Sequence, residues 1–367
     1  MRSSFFRYLL LASMLLNAGM ALANDDAAVQ CIADLENVAR FMQTNDAGAS
    51  AHLATHGAAI AAAFDAARQQ AAGAREVAVC DGILQTYLLA WRRTHLQLIP
   101  ATGTAGGGDA QPQGGIDPRA PHFQALGDKT ALLVLPSFHA AYAPAITRLL
   151  EDHRAALQAR NYWIIDVRAN DGGADASFAP LLGWLLDGQL YRHGVEYLAT
   201  PANIQSQSDA CAFLFSDPAP CLQQIAPNVA KMRAAAPGSF ALVGAARGGS
   251  VPVAVEERRP ERVAILTDRA CGSSCEQFVL DARGGFRVKI VGRPTMGALD
   301  YSNLRPYRLA SGRILFYATT RSTRLPDMHV DSAGIPPDIL LPAPLDTAGR
   351  DAEVQKVRGW LEGGSLN

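Results

Sequence analysis

Residues 263–276 read Val-Ala-Ile-Leu-Thr-Asp-Arg-Ala-Cys-Gly-Ser-Ser-Cys-Glu, and this stretch decides how the rest of the chain is interpreted. An apolar strand leads into a turn of small residues, and the pattern predicts a helix from Glu276 to about Arg283. Such a turn exposes the Ser273 hydroxyl, and the N–H groups of the first helical turn can stabilise an oxyanion. Ser273 and Glu276 also have capping-box spacing, which most often has no catalytic role.

Cysteines flank this serine on both sides. Cys271 and Cys275 can be joined, because Cα atoms four residues apart approach about 6 Å, and two buried thiols are the alternative. Among the other four cysteines, proximity favours Cys211–Cys221, and Cys31–Cys80 could join two helices. The chain has no Cys-x-x-Cys pair and no His-Glu-x-x-His motif, so we expect neither a metal site nor a cofactor.

Strands alternate with helices around the stretch, which predicts an α/β sheet with its site at the carboxyl ends of the strands. Strands are predicted at 131–136, 162–167, 240–243, 263–266 and 288–291, with helices at 142–157 and from 174 to 186 and a hairpin across 307–322. Upstream, the apolar residues of 25–91 recur at helical spacing and predict a small bundle of three helices. Residues 95–100 alternate like a strand.

The sequence also predicts a signal peptide, a division into domains and the classes of partner that the charge excludes. Residues 1–23 have the charged start, apolar centre and Ala21-Leu22-Ala23 ending of a cleaved signal peptide, so we expect a periplasmic or secreted protein without a membrane span in its mature form. The other predicted parts are a helical domain at 24–100, a Gly/Pro-rich linker at 101–121, an α/β core at 122–345 and a C-terminal helix or tail at 346–367. The net charge of −1 argues against a nucleic-acid partner.

A second turn can also bind an anion. Asp166-Val-Arg-Ala-Asn-Asp-Gly172-Gly173 ends a predicted strand with two glycines, where backbone N–H groups can approach a ligand without a Cβ in the way. A phosphate-binding loop is excluded because the Lys-Ser/Thr pair of the Walker motif is missing. An ordinary strand-to-helix turn remains the alternative at this point.

Four motifs together resemble the tail-specific, or C-terminal-processing, serine peptidase family. They are Ile165-Asp166-Val167-Arg168-Ala-Asn170-Asp-Gly172-Gly173, Ser273-Ser-Cys-Glu276, Val291-Gly292-Arg-Pro-Thr295-Met-Gly297 and Gly334-Ile335-Pro-Pro337-Asp338. The resemblance implies a crotonase-like (ClpP-like) α/β core with Ser273 as the nucleophile. It also implies an oxyanion hole formed by Gly172, with or without Gly173, and by the N–H of Ser274.

The chain differs from one branch of that family. The bacterial tail-specific enzymes use a lysine as base, and the matching position here is Ala298. The chain has no room for a PDZ domain either, and it resembles the tricorn-like branch, whose base is a histidine at the end of the N-terminal helical region. On that resemblance His95 is the base, Thr94 supplies an orienting hydroxyl, and Asp331 is the acid of the network.

Other assignments remain open from the sequence. His139 and His329 are rival bases, Asp166 and Asp338 are expected to brace turns, and Glu276 is expected to cap the helix and support the site. The leading hypothesis is an exported serine peptidase that acts on peptides or proteins through a Ser–His acyl-enzyme. The alternative is a non-catalytic protein on the same fold that binds peptides or small hydrophobic molecules, as the interphotoreceptor retinoid-binding proteins do. Oligomeric state and endo- or exopeptidase action are left open.

Overall fold

A computed structural model describes residues 26–101, 117–244 and 248–366. The predicted signal peptide and most of the predicted linker lie outside these residues. The helices are α1 (26–45), α2 (Ala49–Ala71), α3 (Val77–Trp91), α4 (Ala143–Asp152), α5 (Arg154–Gln158), α6 (Asp175–Phe178), α7 (Leu182–Leu185), α8 (Pro201–Leu214), α9 (Ala219–Ala234), α10 (Ser274–Ala282) and α11 (Thr347–Leu361). The strands are β1 (Gln97–Ile99), β2 (His122–Leu126), β3 (Thr130–Val134), β4 (Tyr162–Asp166), β5 (Gln189–Arg192), β6 (Val195–Leu198), β7 (Phe240–Val243), β8 (Gly249–Pro252), β9 (Arg262–Thr267), β10 (Val288–Gly292), β11 (Tyr301–Arg308), β12 (Ile314–Ser322) and β13 (Ile339–Leu340).

The chain divides into two compact units, and it returns to the first of them twice. The first unit comprises the described part of Met1–Gly108 together with Tyr197–Ala241 and Asn303–Thr320. The second comprises the described parts of three ranges, Asp109–Glu196, Leu242–Ser302 and Arg321–Asn367. The predicted division into consecutive domains did not include these two returns.

In the first unit, the three predicted N-terminal helices are confirmed as α1, α2 and α3. Their apolar stripes pack together with residues of β12, including Leu315 and Tyr317, in one buried cluster. This unit also holds most of a sheet with the strand order β1-β12-β6-β7, in which β11 pairs with β12 as the predicted hairpin. The strand β1 runs antiparallel to β12, with Leu98 opposite Leu315.

The second unit contains the sheet that positions the candidate site. Its strand order is β13-β10-β9-β4-β3-β2, and every neighbouring pair is parallel except β2 with β3. Asp166 at the end of β4 lies opposite Val134 of β3 and Leu266 of β9. The carboxyl ends of β3, β4 and β9 therefore meet at one edge, where such sheets place their sites.

Helices cover both faces of this sheet, because alternate side chains of its strands are apolar on both sides. On one face, Trp163, Ile165 and Ile265 belong to a buried cluster that includes residues of α4, α6, α7 and α10. On the other face, Ile164 and Leu266 pack with residues of α11. The α/β fold with a helical N-terminal region is confirmed, and the chain after residue 346 forms the helix α11.

Several predicted elements differ in detail. The helix expected at 142–157 is divided at His153 into α4 and α5, and the one expected to reach 186 consists of α6, a short 3₁₀ turn and α7. The strand expected from residue 95 begins only at Gln97. Among the described residues, no helix has both the length and the apolar character needed to cross a membrane.

Candidate active site

Ser273 lies in a strained turn between β9 and α10. Its backbone has φ 55° and ψ −120°, a conformation that costs an L-residue about 1–3 kcal/mol. A strand that turns sharply into a helix at a strained serine is the geometry that exposes a nucleophilic hydroxyl. The Ser273 residue is half-buried, whereas Ser274 after it is buried. The turn can therefore present one hydroxyl while protecting the start of the helix.

The carboxylate of Glu276 holds this turn in place. It is fully buried and accepts hydrogen bonds from the N–H of Ser273 at 3.2 Å, Gly297 at 2.8 Å and Ala298 at 2.7 Å, and from Thr295 Oγ1 at 2.5 Å. Burial raises the pKa of Glu276, and these hydrogen bonds oppose that rise. The predicted capping and supporting contacts of Glu276 are present, and they join the Ser273 turn to the loop after β10.

The loop after β10 is in turn joined to the segment before β13. Thr295 Oγ1 accepts a hydrogen bond from the N–H of Ile335 at 2.7 Å, and the N–H of Met296 donates to the carbonyl of Cys271 at 2.8 Å. Gly334 has φ 76°, and a Cβ there would lie 2.2 Å from the Thr295 carbonyl oxygen. Three of the four sequence motifs are thus packed around the Ser273 turn.

The fourth motif contacts the same turn through Gly172. This glycine has φ 103°, and a Cβ there would lie 2.8 Å from Ser273 Cβ and 3.0 Å from Ser274 N. Only glycine fits at such a separation. The N–H of Gly172, which the sequence named as an oxyanion donor, donates to Asn170 Oδ1 at 2.9 Å. In the structure this N–H therefore already has an acceptor within the turn.

Two other N–H groups at this edge are available to a ligand. Ser274 starts α10, and its hydroxyl donates to the carbonyl of Gly173 at 3.0 Å. Within the described ranges, neither the N–H of Ser274 nor that of Gly173 donates a hydrogen bond. A helix N-terminus beside a glycine turn attracts an oxygen that carries negative charge.

His95 and Thr94 belong to the first unit, in the turn between α3 and β1. His95 has a left-handed backbone with φ 56°, and both residues are half-buried. Their carbonyl groups accept hydrogen bonds from Arg92, whose Nε lies 2.9 Å from the Thr94 oxygen and whose Nη2 lies 3.2 Å from the His95 oxygen. The catalytic roles of His95 and Thr94 stay predictions.

The two rival histidines lie in the second unit. His139 Nδ1 accepts a hydrogen bond from the N–H of Ala141 at 3.3 Å and so caps a short 3₁₀ turn. His329 Nδ1 lies 3.6 Å from Asp300 Oδ2, and its side chain is 64% exposed. His139 is half-buried like His95, whereas the His329 side chain is largely open to water, and the roles of both as alternative bases stay predictions.

Asp331 holds backbone groups of a neighbouring segment. Its Oδ1 accepts hydrogen bonds from the N–H of Leu299 and of Asp300, both at 2.7 Å. In return, Asp300 Oδ2 accepts from the N–H of Val330 at 2.9 Å and of Asp331 at 3.0 Å. The two aspartates join the two segments reciprocally, and a catalytic role of Asp331 stays a prediction.

Asp166 and Asp338 have the bracing contacts that the sequence predicted. Asp166 Oδ1 accepts hydrogen bonds from the N–H of Arg168 at 3.0 Å and from its Nε at 2.8 Å. Asp338 Oδ2 accepts from the N–H of Ile290 at 2.8 Å. Both carboxylates therefore stabilise turns at the ends of strands.

The cysteines pair in the predicted way. Cys31–Cys80 and Cys211–Cys221 each have a Cα separation of 5.6 Å, and Cys271–Cys275, which was one of two alternatives, has 5.3 Å. Both cysteines beside Ser273 are fully buried. In the described part of the chain, no group of three or more His, Cys, Asp or Glu residues could hold a metal ion.

Sequence reasoning missed two groups of residues near these turns. Arg92 and Asp46 form a buried ion pair next to His95, and they lie too far apart in sequence to make a motif. Arg192 on β5 forms ion pairs with Asp281 of α10 and, at 3.5 Å, with Asp175 of α6. Burial raises the pKa of Asp175, while Arg192 opposes the rise. No local signal in the sequence identifies either group.

Comparison with known proteins identifies the family of the chain. The sequence profile of peptidase family S41 matches residues 129–341. No curated protein sequence matches the chain significantly.

Solved structures share the fold over almost the whole chain. Mature CPAF superposes with a TM-score of 0.62 at 12% identity and covers 93% of this chain and 99% of its own. A candidate peptidase from Parabacteroides merdae gives 0.58 at 16% identity, with 92% and 96% covered, and a lipoprotein from Streptococcus agalactiae gives 0.52 at 15%, with 92% and 97% covered. With the family match and the crotonase-like core, the chain belongs to peptidase family S41 and is a serine-type peptidase.

Proposed function

We propose that the protein is exported and hydrolyses peptide bonds through an acyl-enzyme on Ser273, with His95 as the base. The observation that carries the proposal is the turn at Ser273. A strained serine there lies against Gly172, and the N–H groups of Ser274 and Gly173 have no acceptor among the described residues. Such a group of donors stabilises the negative charge that develops on a carbonyl oxygen under attack.

The reaction would proceed in two balanced halves. His95 takes the proton of the Ser273 hydroxyl as Oγ bonds to the scissile carbonyl carbon, and the oxyanion accepts hydrogen bonds from the N–H groups of Ser274 and Gly173. The imidazolium then gives that proton to the departing amine as the C–N bond breaks. His95 then takes a proton from water as the water oxygen bonds to the ester carbonyl carbon. The C–Oγ bond breaks, the carboxylic acid product leaves, and His95 returns the proton to Ser273 Oγ.

The remaining predicted residues have supporting roles in this proposal. Gly172 lets the backbone approach Ser273, because a Cβ would fill the space beside Ser274 N. Thr94 and Asp331 orient the imidazole or the hydroxyl network. A lysine base is not part of the proposal, because Ala298 holds the matching position and its N–H donates to Glu276.

Peptide hydrolysis by single and double variants tests the pair. Ser273→Ala and His95→Ala should each remove most activity, and the double variant should be little worse than either, because the two act as a unit. His56→Ala changes an exposed histidine of the same unit and should keep full activity. Activity lost with His139→Ala or His329→Ala, but retained with His95→Ala, would contradict the assignment.

The pH–rate profile tests the chemical nature of the base. The rate should rise with a midpoint near neutrality, since an unperturbed imidazole has a pKa of about 6.5. A rise centred near pH ~9 would instead indicate a group closer to an unperturbed lysine.

Export is proposed from the pattern of residues 1–23 and is supported by three disulfides, which persist in oxidising compartments. Fractionation of producing cells, with mass spectrometry of the mature N-terminus, tests it. We expect a mature chain that begins after Ala23 in the periplasm or medium. An unprocessed chain in the cytoplasm with all thiols reduced would contradict export.

A further inference from the structure

The two peptide groups on either side of His95 are held by one side chain. The carbonyl of Thr94 precedes the His95 Cα and the carbonyl of His95 follows it. Arg92 donates to both, from Nε at 2.9 Å and from Nη2 at 3.2 Å. Because these peptide groups define the φ and ψ of His95, fixing them fixes the direction of its Cα–Cβ bond.

The guanidinium of Arg92 is itself held in one orientation. Its Nη1 and Nη2 donate to Asp46 Oδ1 and Oδ2, each at 3.0 Å, and the side chains of Arg92 and Asp46 are only 3% and 0% exposed. A planar guanidinium bonded to both oxygens of a buried carboxylate has no freedom to rotate. Asp46 therefore fixes the Arg92 side chain, and Arg92 in turn fixes the carbonyl groups on either side of the His95 Cα.

Asp46 is connected to the sheet that receives the segment after His95. The N–H of Ala318 on β12 donates to Asp46 Oδ2 at 3.3 Å, and the N–H of Ala47 donates to the Ala318 carbonyl at 2.9 Å. The strand β1, which begins two residues after His95, pairs with the same β12. The His95 turn is therefore held at its centre and at its downstream end by one rigid group of elements.

A left-handed conformation at a residue other than glycine persists only where its surroundings impose it. His95 has φ 56°, and the hydrogen bonds from Arg92 hold both peptide groups that define this angle and the ψ that follows it. We infer that Arg92, held by Asp46, is the positioning residue for the base of this peptidase. The inference rests on the proposed function, because it requires His95 to be that base.

Arg92→Lys is the direct test, and Arg313→Lys is its matched control. Lysine keeps the charge beside Asp46 but cannot also reach two carbonyl oxygens. Arg313 is likewise a buried arginine of the first unit, and its polar partners are Asp34 at 2.7 Å, Asp81 at 2.6 Å and the Val77 carbonyl at 3.3 Å. Both substitutions therefore disturb buried ion pairs, and only Arg92→Lys changes the hydrogen bonds to the His95 turn.

The readout is the kinetics of peptide hydrolysis together with the melting temperature. For Arg92→Lys we expect kcat to fall roughly 10- to 100-fold, with KM nearly unchanged and a shifted pH midpoint, since a displaced base loses its productive geometry. Arg313→Lys should melt at a similar temperature and keep kcat and the pH midpoint of the wild type. Equal kcat values and equal pH midpoints for the two variants would overturn the inference.

A second variant covers the case in which Arg92→Lys does not fold. Asp46→Asn keeps Arg92 and replaces one of its two acceptor oxygens, so the same fall in kcat with unchanged KM is expected, and an unchanged kcat would overturn the inference. Failure of the proposed function gives a different result, because His95→Ala would then retain activity. If His95→Ala is inactive while Arg92→Lys matches Arg313→Lys, only the positioning role is wrong.

Discussion

The turn at Ser273 and the turn at His95 each contain a residue with nearly the same positive φ angle, but the two turns are held by opposite chemistry. Their φ angles are 55° and 56°, and each lies in a different unit. A buried carboxylate, Glu276, accepts N–H groups around the first turn. A buried guanidinium, Arg92, donates to carbonyl groups around the second.

The difference determines how each turn can fail. Among the described residues Glu276 has no cation as partner, so burial raises its pKa and only neutral donors oppose that rise. The charge of Arg92 is neutralised by its ion pair with Asp46, but His52 Nε2 lies 3.4 Å from Arg92 Nη1. A proton on His52 would place a second positive charge beside the guanidinium. The Ser273 turn should therefore depend on the acceptor oxygens of Glu276, and the His95 turn on keeping His52 neutral.

Glu276→Gln should give the largest loss of stability. The amide NH2 replaces one acceptor oxygen and then faces donors, so two charge-assisted hydrogen bonds of about 1.5–3 kcal/mol each are lost, or roughly 3–6 kcal/mol in total. Urea unfolding measures the change, and hydrolysis should fall with it because the Ser273 turn loosens. Glu257→Gln, at an exposed glutamate, is the control. A loss below about 1 kcal/mol would show that the carboxylate does not hold the turn.

The disulfides of the two units should separate stability from activity. Cys31–Cys80 joins α1 to α3 with a sequence separation of 49, so removing it as a double alanine variant should cost about 4 kcal/mol by loop-closure entropy. Cys271–Cys275 spans a separation of 4, and the same relation gives about 2 kcal/mol.

We expect the double alanine variant at 271 and 275 to lose activity beyond its loss of stability, because that bridge brackets Ser273. The variant at 31 and 80 should keep its activity while folded. Melting temperature and peptide hydrolysis at a low temperature distinguish the two effects. Thiol counting that finds Cys271 and Cys275 reduced in the exported protein would end this prediction.

Gly172→Ala should cost more than the same change at Gly188. Both glycines have positive φ, at 103° and 95°, but a Cβ at Gly188 would meet nothing within 4 Å. Gly188→Ala should therefore cost only the backbone strain, about 1 kcal/mol, with normal activity. Gly172→Ala adds a clash with Ser273 and should cost about 2–3 kcal/mol and most of the activity. Equal effects of both changes on hydrolysis would contradict the close approach at Gly172.

Acid should weaken the His95 turn through His52, with the smallest effect of the series. Burial and then Arg92 lower the pKa of His52 from 6.5 to about 4. A depressed pKa gives stability that is present above pH 6.5 and lost as the pH falls from 6.5 through about 4, because only the unfolded chain takes up the proton there.

His52→Gln should remove part of this acid sensitivity. Because His52 is partly exposed, we discount the full effect to about 1–2 kcal/mol. Urea unfolding of the wild type and of His52→Gln at pH 7 and pH 4 gives the difference. If the free energy of unfolding falls equally in the wild type and in His52→Gln between pH 7 and pH 4, His52 is not the cause of the acid sensitivity.

The sequence predicts the Ser273 turn far better than the His95 turn, and the reason is locality. Glu276 lies three residues from Ser273, so one short motif contains both the strained residue and its support. Asp46 lies 46 residues before Arg92, and the pair becomes visible only when α1 and α3 pack together. Likewise, the hydrogen bond from the Gly172 N–H to Asn170 Oδ1 depends on a loop conformation that residue spacing does not specify.

The same holds for the fold, where local patterns were predictable and long-range packing was not. The parallel strands and the hairpin at 307–322 were predicted because their apolar residues have a clear period. Helix α8 was missed because Asn203, Ser206 and Gln207 lie on its buried face, which removes the apolar period. The return of 197–241 and 303–320 to the first unit depends on long-range packing that no local pattern shows.

Labelling with a fluorophosphonate probe is the most direct test of Ser273 as an activated nucleophile, because the probe reacts with such a serine without any knowledge of the substrate. We expect one adduct, mapped by mass spectrometry to Ser273. Its formation should be lost in Ser273→Ala, slowed strongly in His95→Ala, and unchanged in His139→Ala and His329→Ala. An unlabelled but folded wild type, or labelling that survives His95→Ala and is lost in His139→Ala or His329→Ala, would contradict it.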